Sequence, residues 1–395
     1  MPAGTRSQLY IAPAVDLHIM DVPALRPGEE SYPGVYVAAR TGSKAQGTGI
    51  DDIGGTTTGQ RVQADPPIQV YLSRDGGTTF ELAATLTAHC TAGFLMATEN
   101  DFLNGISAEG ISGATLVDDG SQLSVSWDRL SEMPILWYDE FAPTSTTEEL
   151  VQLGENRMVV GDEVVEFATI STNPLSADFG STDETASGVY WHSDLTRGRR
   201  GTENEIANRT SGDRVVLVND AVQQVLLRHA DINKTLVWRA VTFGGDVTEA
   251  EDVSMTFLAK NVTPFAPTNV RGVRDSGNDL TISWDRRTRS EVRLLGTLAH
   301  PKGEDRDDYI VEILSEPLPR TVLRTITATG ATSVTYTAAQ QTADGYTPGA
   351  LIYCRVRQIS NLVNWGTAGE WKIPANAGGA GTPTPSATLY AERQD

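Results

Sequence analysis

The sequence predicts an all-β protein built of several sandwich or barrel domains, and three observations carry that expectation. Short runs of β-branched and aromatic residues with period-2 alternation recur along the chain: Ile68–Ser73 (IQVYLS), Gln122–Trp127 (QLSVSW), Arg157–Phe167 and Asp279–Trp284 (DLTISW). Alternation sends successive side chains to opposite faces, so each run reads as a half-buried strand. Thr, Val, Gly and Asp are prominent, and the runs lie between turn signals. Helical periodicity is scarce. Its best candidate, Asp220–His229, places Val and Leu in a way that fits a strand equally well.

At 395 residues and 42.4 kDa, the chain has room for two to four domains of about ordinary size. With 39% hydrophobic and 21% charged residues, its composition is that of a soluble globular protein. No stretch approaches the ~20 apolar residues of a membrane span. The opening MPAGTRSQLYIAPAV has no apolar run of signal-peptide length, so any extracellular role is expected to begin with export by another route, for example lysis. Cys90 and Cys354 lie far apart and read as small buried hydrophobes. His18, His89, His192, His229 and His300 are scattered singly, so metal-ligand spacing is absent and neither a metal nor a cofactor is expected.

The net charge of −20 argues against a phosphate-binding surface and hence against sequence-specific nucleic-acid binding. It is unevenly placed. Residues 1–263 hold 17 Lys/Arg against 37 Asp/Glu, whereas residues 264–395 hold 14 of each. A change of that kind at one point marks a domain boundary. Four segments follow: 1–125, with a Gly/Thr/Asp-rich loop at Gly42–Gly59; 126–262; 263–374, entered through the Pro-punctuated linker Thr263–Thr268 (TPFAPT); and a C-terminal tail, 375–395, containing ANAGGAGTPTP. SQLSVSWDR at 121–129 and NDLTISWDR at 278–286 echo one another, and the echo reads as convergent strand chemistry.

In the third segment Pro267 precedes Asn269–Val273, then LTISWD with Trp284, Tyr309–Leu314 (YIVEIL), Ser333–Thr337 (SVTYT), Tyr353–Ser360 (YCRVRQIS) and Gly369–Ile373 (GEWKI). This succession resembles a fibronectin type III domain, which implies a two-sheet sandwich with Trp284 packed between the sheets. Period 2 places Leu280, Ile282 and Trp284 on one face, and Cys354 and Val356 on another. The chain departs from the family at 289–308, where RSEVRLLGTLAHPKGEDRDD replaces a short loop as a binding surface or a packing arm. The acidic cluster Glu304–Asp308 lacks calcium-loop spacing and reads as a solvated turn.

The second segment holds Leu153–Phe167 (LGENRMVVGDEVVEF) and Gly188–Glu203 (GVYWHSDLTRGRRGTE). Together they resemble the C-terminal portion of the tail-tip (hub, host-specificity) proteins of siphophages and gene transfer agents. Gly154, Asn156, Gly161, Glu163, Val165 and Phe167 match a strand pair of that family. Leu195, Arg197, Gly198, Arg199, Arg200, Gly201 and Thr202 match its L-x-R-G-R-R-G-T turn, although Ser171–Ser187 lengthens the spacing. Leu9–Arg26, Pro33–Ala39 and Val70–Phe80 look like the segment just upstream. The resemblance covers most of 9–262 and lacks the family's N-terminal barrel-like and hub regions.

The resemblance implies a virion protein of the tail tip or baseplate. It would be assembled in the bacterial host cytoplasm as a homotrimer and would contact other tail proteins (hub, distal tail protein, fibres), with a role in host attachment. A receptor- or glycan-binding adhesion protein is the alternative, and a polysaccharide-degrading tail enzyme the weaker one. No catalytic residues are expected. Ser73–Phe80 (SRDGGTTF) fits an Asp-box hairpin, in which the Asp caps a turn, and its single copy excludes a propeller of repeated blades. No Gly-x-Ser-x-Gly elbow occurs. Asp51–Asp52 and Glu148–Glu149 read as solvated loop carboxylates. The glycines Gly198 and Gly201 open backbone angles closed to other residues, so the arginines of the turn reach carboxylates of the 161–167 strand, Glu163 first and Glu166 as the alternative.

Overall fold

A computed structural model describes residues 15–41, 66–95, 117–127, 156–171, 189–206, 211–289, 303–316, 319–375 and 388–389. Outside them lie the loop Gly42–Gly59, Gly154, the acidic pairs Asp51–Asp52 and Glu148–Glu149, and most of the insertions at 171–187 and 289–308. The described chain is nearly all β, and its strands pair antiparallel. It divides into two compact units that interleave in sequence: 1–20, 34–91 and 217–258 form one, and 21–33, 92–216 and 259–395 the other.

The first unit has two sheets. In one, β1 (Val15–Met20), β2 (Gly34–Thr41) and β11 (Gln223–Leu226) lie in the order β1-β2-β11. The other runs β13 (Val253–Thr256), β12 (Thr235–Thr242), β3 (Ile68–Ser73), β4 (Glu81–Leu86). Ile68, Val70 and Leu72 bury one face of β3, as period 2 requires, and Trp238 on β12 is fully buried. Every residue of β2 is buried, so that strand is covered on both faces. The segment Asp220–His229 resolves in favour of a strand: it forms β11 and then a 3-10 turn at His229–Asp231.

Six strands of the second unit form a closed barrel. They are β5 (Ala92–Leu95), β6 (Val117–Trp127), β7 (Arg157–Val160), β8 (Glu163–Ser171), β9 (Val189–Arg199) and β10 (Arg214–Leu217), in the order β10-β5-β6-β9-β8-β7. Between β7 and β10 the N–H of Gly161 donates to the carbonyl of Arg214 at 2.9 Å. The boundary expected at 125/126 falls inside β6. Strands from both sides of it pair in one barrel, because antiparallel pairing joins runs far apart in sequence.

The sandwich follows. β14 (Thr268–Arg274), β15 (Leu280–Asp285) and β18 (Ser333–Tyr336) form one sheet in the order β14-β15-β18. The other runs β17 (Val322–Ala328), β16 (Tyr309–Leu314), β19 (Ile352–Ser360), β21 (Gly369–Ile373), with β20 (Asn364–Trp365) folded back on β19. Three strands facing four, leaving aside the two-residue strands Asn364–Trp365 and Thr388–Leu389 of the larger sheet, with the Trp strand central in the smaller one, make a fibronectin type III-like sandwich. Leu280, Ile282 and Trp284 point into its core with Tyr309, Val311, Cys354, Val356 and Trp371. The Trp284 and Tyr309 rings meet edge to face at 5.3 Å between centroids. A short helix, α1 (Ala338–Ala343), lies between β18 and β19. Thr337 and Gln340 form a capping box at its start, and T-x-x-Q is a sequence signal that period-2 reading passes over.

Burial pushes the Tyr309 phenol up to about 12, the charge of Asp307 adding to it. Its hydroxyl has no hydrogen-bond partner among the described residues. Trp284→Ala is expected to cost about 3–5 kcal/mol, the usual range for emptying a core of an aromatic. Tyr309→Phe is expected to raise stability by about 1 kcal/mol, since it removes a buried polar atom that gains nothing in the fold. Denaturant titration of the full chain, followed by tryptophan fluorescence, checks both. Loss of stability in Tyr309→Phe would mean that the hydroxyl has a partner.

Candidate functional site

The L-x-R-G-R-R-G-T turn ends β9 and is built around a slip of register. Val164 pairs with Arg199 and Glu166 with Thr196, so Arg197 and Gly198 together stand opposite the single Val165. Such a bulge needs a residue that tolerates left-handed backbone, and Gly198 sits at φ 58°. A side chain there would meet the Glu203 backbone at 2.9 Å. Arg200 (φ 60°) and Gly201 (φ 87°) continue the left-handed path.

The bulge sends the two arginines of β9 to different carboxylates. Arg197 donates from Nε to Glu163 Oε1 at 2.9 Å and from Nη2 to Oε2 at 3.2 Å. Glu163 Oε1 also accepts the Gly198 N–H at 2.8 Å. Arg199 Nε lies 2.8 Å from Glu166 Oε2, while Arg157 binds the other oxygen of Glu166 through Nε and Nη2 at 3.0 and 2.7 Å. Both glutamates are wholly buried. Sequence reasoning treats Glu163 and Glu166 as alternatives; the structure uses both, and it adds Arg157, the strand partner of Glu166. That pairing is legible in principle, because a two-residue turn at Gly161–Asp162 sets Arg157 opposite Glu166.

The rest of the turn holds its surroundings together. Thr202 Oγ1 accepts the Val164 N–H at 3.1 Å and donates to the Arg199 carbonyl at 2.8 Å. Residues 21–33 pass alongside as a strap: Arg200 Nε donates to the Ala24 carbonyl at 2.6 Å, and Arg157 Nη1 to that of Leu25. The strap is fixed further by Asp21, whose carboxylate accepts the N–H groups of Ala259 and Lys260 at 3.1 and 2.8 Å. Asn261 donates to the carbonyls of Glu29 and Tyr32.

On its other side the turn meets the sandwich. The Phe265 ring lies where a Gly201 side chain would be, so close that an added Cβ would overlap it. Arg287 Nη2 reaches Glu203 at 2.6 Å, and Asn204 donates to the Ala368 carbonyl at 2.8 Å. The Pro-punctuated linker is therefore packed and not free: Pro264, Phe265, Ala266 and Pro267 are all buried. A missing side chain at Gly201 is the physical reason.

The other sequence-derived candidates are equally committed. Glu304 is no solvated turn residue: its carboxylate is buried against Arg289, whose Nη2 donates to Oε2 at 3.2 Å, and desolvation raises its pKa against that arginine's pull. Arg289 also donates to the Glu30 carbonyl at 2.7 Å, so this end of the 289–308 insertion acts as a packing arm. Arg306 pairs with Asp308 at 2.8 Å, and Arg286 with Asp307 at 3.6 Å. Among the described residues no group of three His, Cys, Asp or Glu stands together as a metal-binding set. Cys90 and Cys354 are both buried and not joined in a disulfide, and burial pushes the Cys354 thiol up to about 12. In the first unit, Asp75 caps the β3–β4 hairpin, accepting from Thr78 N–H, Thr79 N–H and Thr79 Oγ1 at 3.1, 2.9 and 2.6 Å.

No family model matches the sequence, and no curated protein matches it. Among solved structures, titin domains A168–A170 align over 95% of this chain and 99% of theirs, at 12% identity and a TM-score of 0.21. The chicken CNTN1 FN1–FN3 domains align over 91% and 96%, at 8% identity and a TM-score of 0.19. Likenesses of that size carry no argument, and the sandwich assignment rests on this chain's own strand order.

Two outcomes are expected. Glu163→Gln leaves Arg197 buried without its counter-charge and should cost about 3–5 kcal/mol. Adding Arg197→Met should recover most of that, since the amide oxygen introduced at position 163 still accepts the Gly198 N–H; denaturant melts of the two variants check it. The Asp75 carboxyl is held well below its ordinary value by the Thr79 hydroxyl and N–H and the Ser73 hydroxyl. Its contribution to stability is thus complete above the unfolded pKa of about 3.9 and is lost as pH falls toward the lower folded value. Asp75→Asn should lower the melting temperature more at neutral pH than in strong acid, and equal losses at both would contradict the assignment.

Proposed function

We propose that this chain is a structural subunit of the tail tip of a tailed bacteriophage and works there without catalysing a reaction. The observation that carries the proposal is the fate of the L-x-R-G-R-R-G-T turn. Its residues are spent on contacts within the chain: carboxylates of β8, carbonyls of the strap, the ring of Phe265. In a binding or catalytic site the same arginines would face a ligand. A turn committed in this way is architectural, as a structural subunit would use it. Among the described carboxylates, Glu163 and Glu166 are likewise committed to arginines and Asp75 to a turn.

On this reading the chain is a homotrimer about the tail axis, contacts neighbouring tail proteins through its two units, and presents its C-terminal sandwich toward the host surface. Three copies would multiply weak contacts with that surface by avidity. The strongly acidic 1–263 region would repel DNA passing nearby. Cryo-electron microscopy of the tail end of the particle that carries this chain is the test. Three copies around the axis are expected. One copy or six would overturn the trimer, and density at free distal ends alone would favour the adhesion protein.

A further inference from the structure

The last described strand, β22 (Thr388–Leu389), returns to the sandwich and pairs antiparallel with the outer edge of β21, Leu389 opposite Trp371 and Thr388 opposite Lys372. Without it, β21 would present a row of unpaired main-chain donors and acceptors, which is a template for any incoming strand. Fourteen residues, 374–387, connect the two strands. A direct antiparallel return needs only about two to five. Fully extended, a connection of that length reaches about 46 Å, while doubling a loop costs only about 0.6 kcal/mol.

From the excess reach, and from a strand already seated on the edge, we infer that the outer edge of β21 is a strand-docking site whose partner in the assembled protein is the 388–389 segment of a second copy. In the isolated chain its own tail fills the site. Main-chain hydrogen bonds do not distinguish one copy of a sequence from another, so the same register forms within a chain or between chains. Local concentration decides between them: neighbours held side by side in an assembly offer each other's tails at high effective concentration. A tail placed on a neighbour's edge is a head-to-tail contact between two different surfaces, and repeated around an axis such contacts close a ring. The inference needs self-association of the chain but neither the tail-tip reading nor a particular number of copies.

Chains with one added cysteine test it, since the native Cys90 and Cys354 are buried. Chains carrying Lys372→Cys and chains carrying Thr388→Cys are co-expressed, oxidised and run on a non-reducing gel. A control pairs Thr388→Cys with Glu251→Cys, an exposed position of the first unit. Disulfide-linked pairs well above the control are expected. In the assembled fraction separated by size, linkage no higher than the control would overturn the proposal, and so would a Lys372→Cys/Thr388→Cys double variant that links there only within single chains. Removal of residues 386–395 should also lower the assembled mass by mass photometry, and an unchanged mass would count equally against it.

Discussion

Glu163 and Arg197 sit buried together at the bulge that ends β9, and much of the second unit is arranged around keeping them there. Removing two charges from water is costly, and their mutual attraction offsets that cost only when the geometry is good and the remaining hydrogen-bonding capacity is filled. Here it is filled: the carboxylate takes two bonds from the guanidinium and one from the Gly198 N–H. The third bond exists only because Gly198 turns left-handed, and Gly198 turns only because β9 carries one residue more than β8 at that point. Sequence, backbone and electrostatics are therefore one constraint.

Such a pair does more for uniqueness than for stability. A strand slipped by one residue presents its side chains to the opposite face. For β8 that would take Glu163 and Glu166 away from the three arginines that hold them, leaving buried charge unpaired. An apolar strand such as Val164–Val165 would lose much less by slipping, because valine on either face of a covered strand finds other apolar neighbours. The ionic layer thus fixes the register of a barrel wall whose apolar residues alone would fix it weakly.

How far this is legible in the sequence depends on distance along the chain. Period-2 runs locate β3, β15, β16 and β19, and in the sandwich they also give the inward face, because Leu280, Ile282 and Trp284 alternate without interruption. The Arg–Gly–Arg–Arg–Gly turn announces its own carboxylates, since opposite charges on adjacent hairpin strands have few other places to go. What stays hidden is tertiary. Nothing local in Asp21–Pro33 marks it as a strap for the second unit, because its anchors, at Arg157, Arg200, Ala259, Asn261 and Arg289, lie more than a hundred residues away. The expected division at 125/126 cuts β6 for the same reason: composition changes slowly along a chain whose strands pair at long range.

The packed linker bears on how the second unit works. Proline-punctuated segments between β domains read as hinges when only their composition is considered. In this chain Pro264–Pro267 is buried, with the Phe265 ring on the Gly201 backbone and the Pro264 carbonyl accepting the Thr367 N–H at 2.8 Å. Asn204 and Glu203, which follow the arginine turn directly, bind the sandwich at Ala368 and Arg287. The turn that sets the barrel's register therefore also sets the direction in which the sandwich leaves it. A swinging sandwich would need Phe265 to leave its seat and the Glu203–Arg287 pair to open together. The motif is accordingly a coupling between two domains, and its two glycines serve the two sides separately: Gly198 supplies the left-handed turn whose N–H binds Glu163, and Gly201 makes room for the ring.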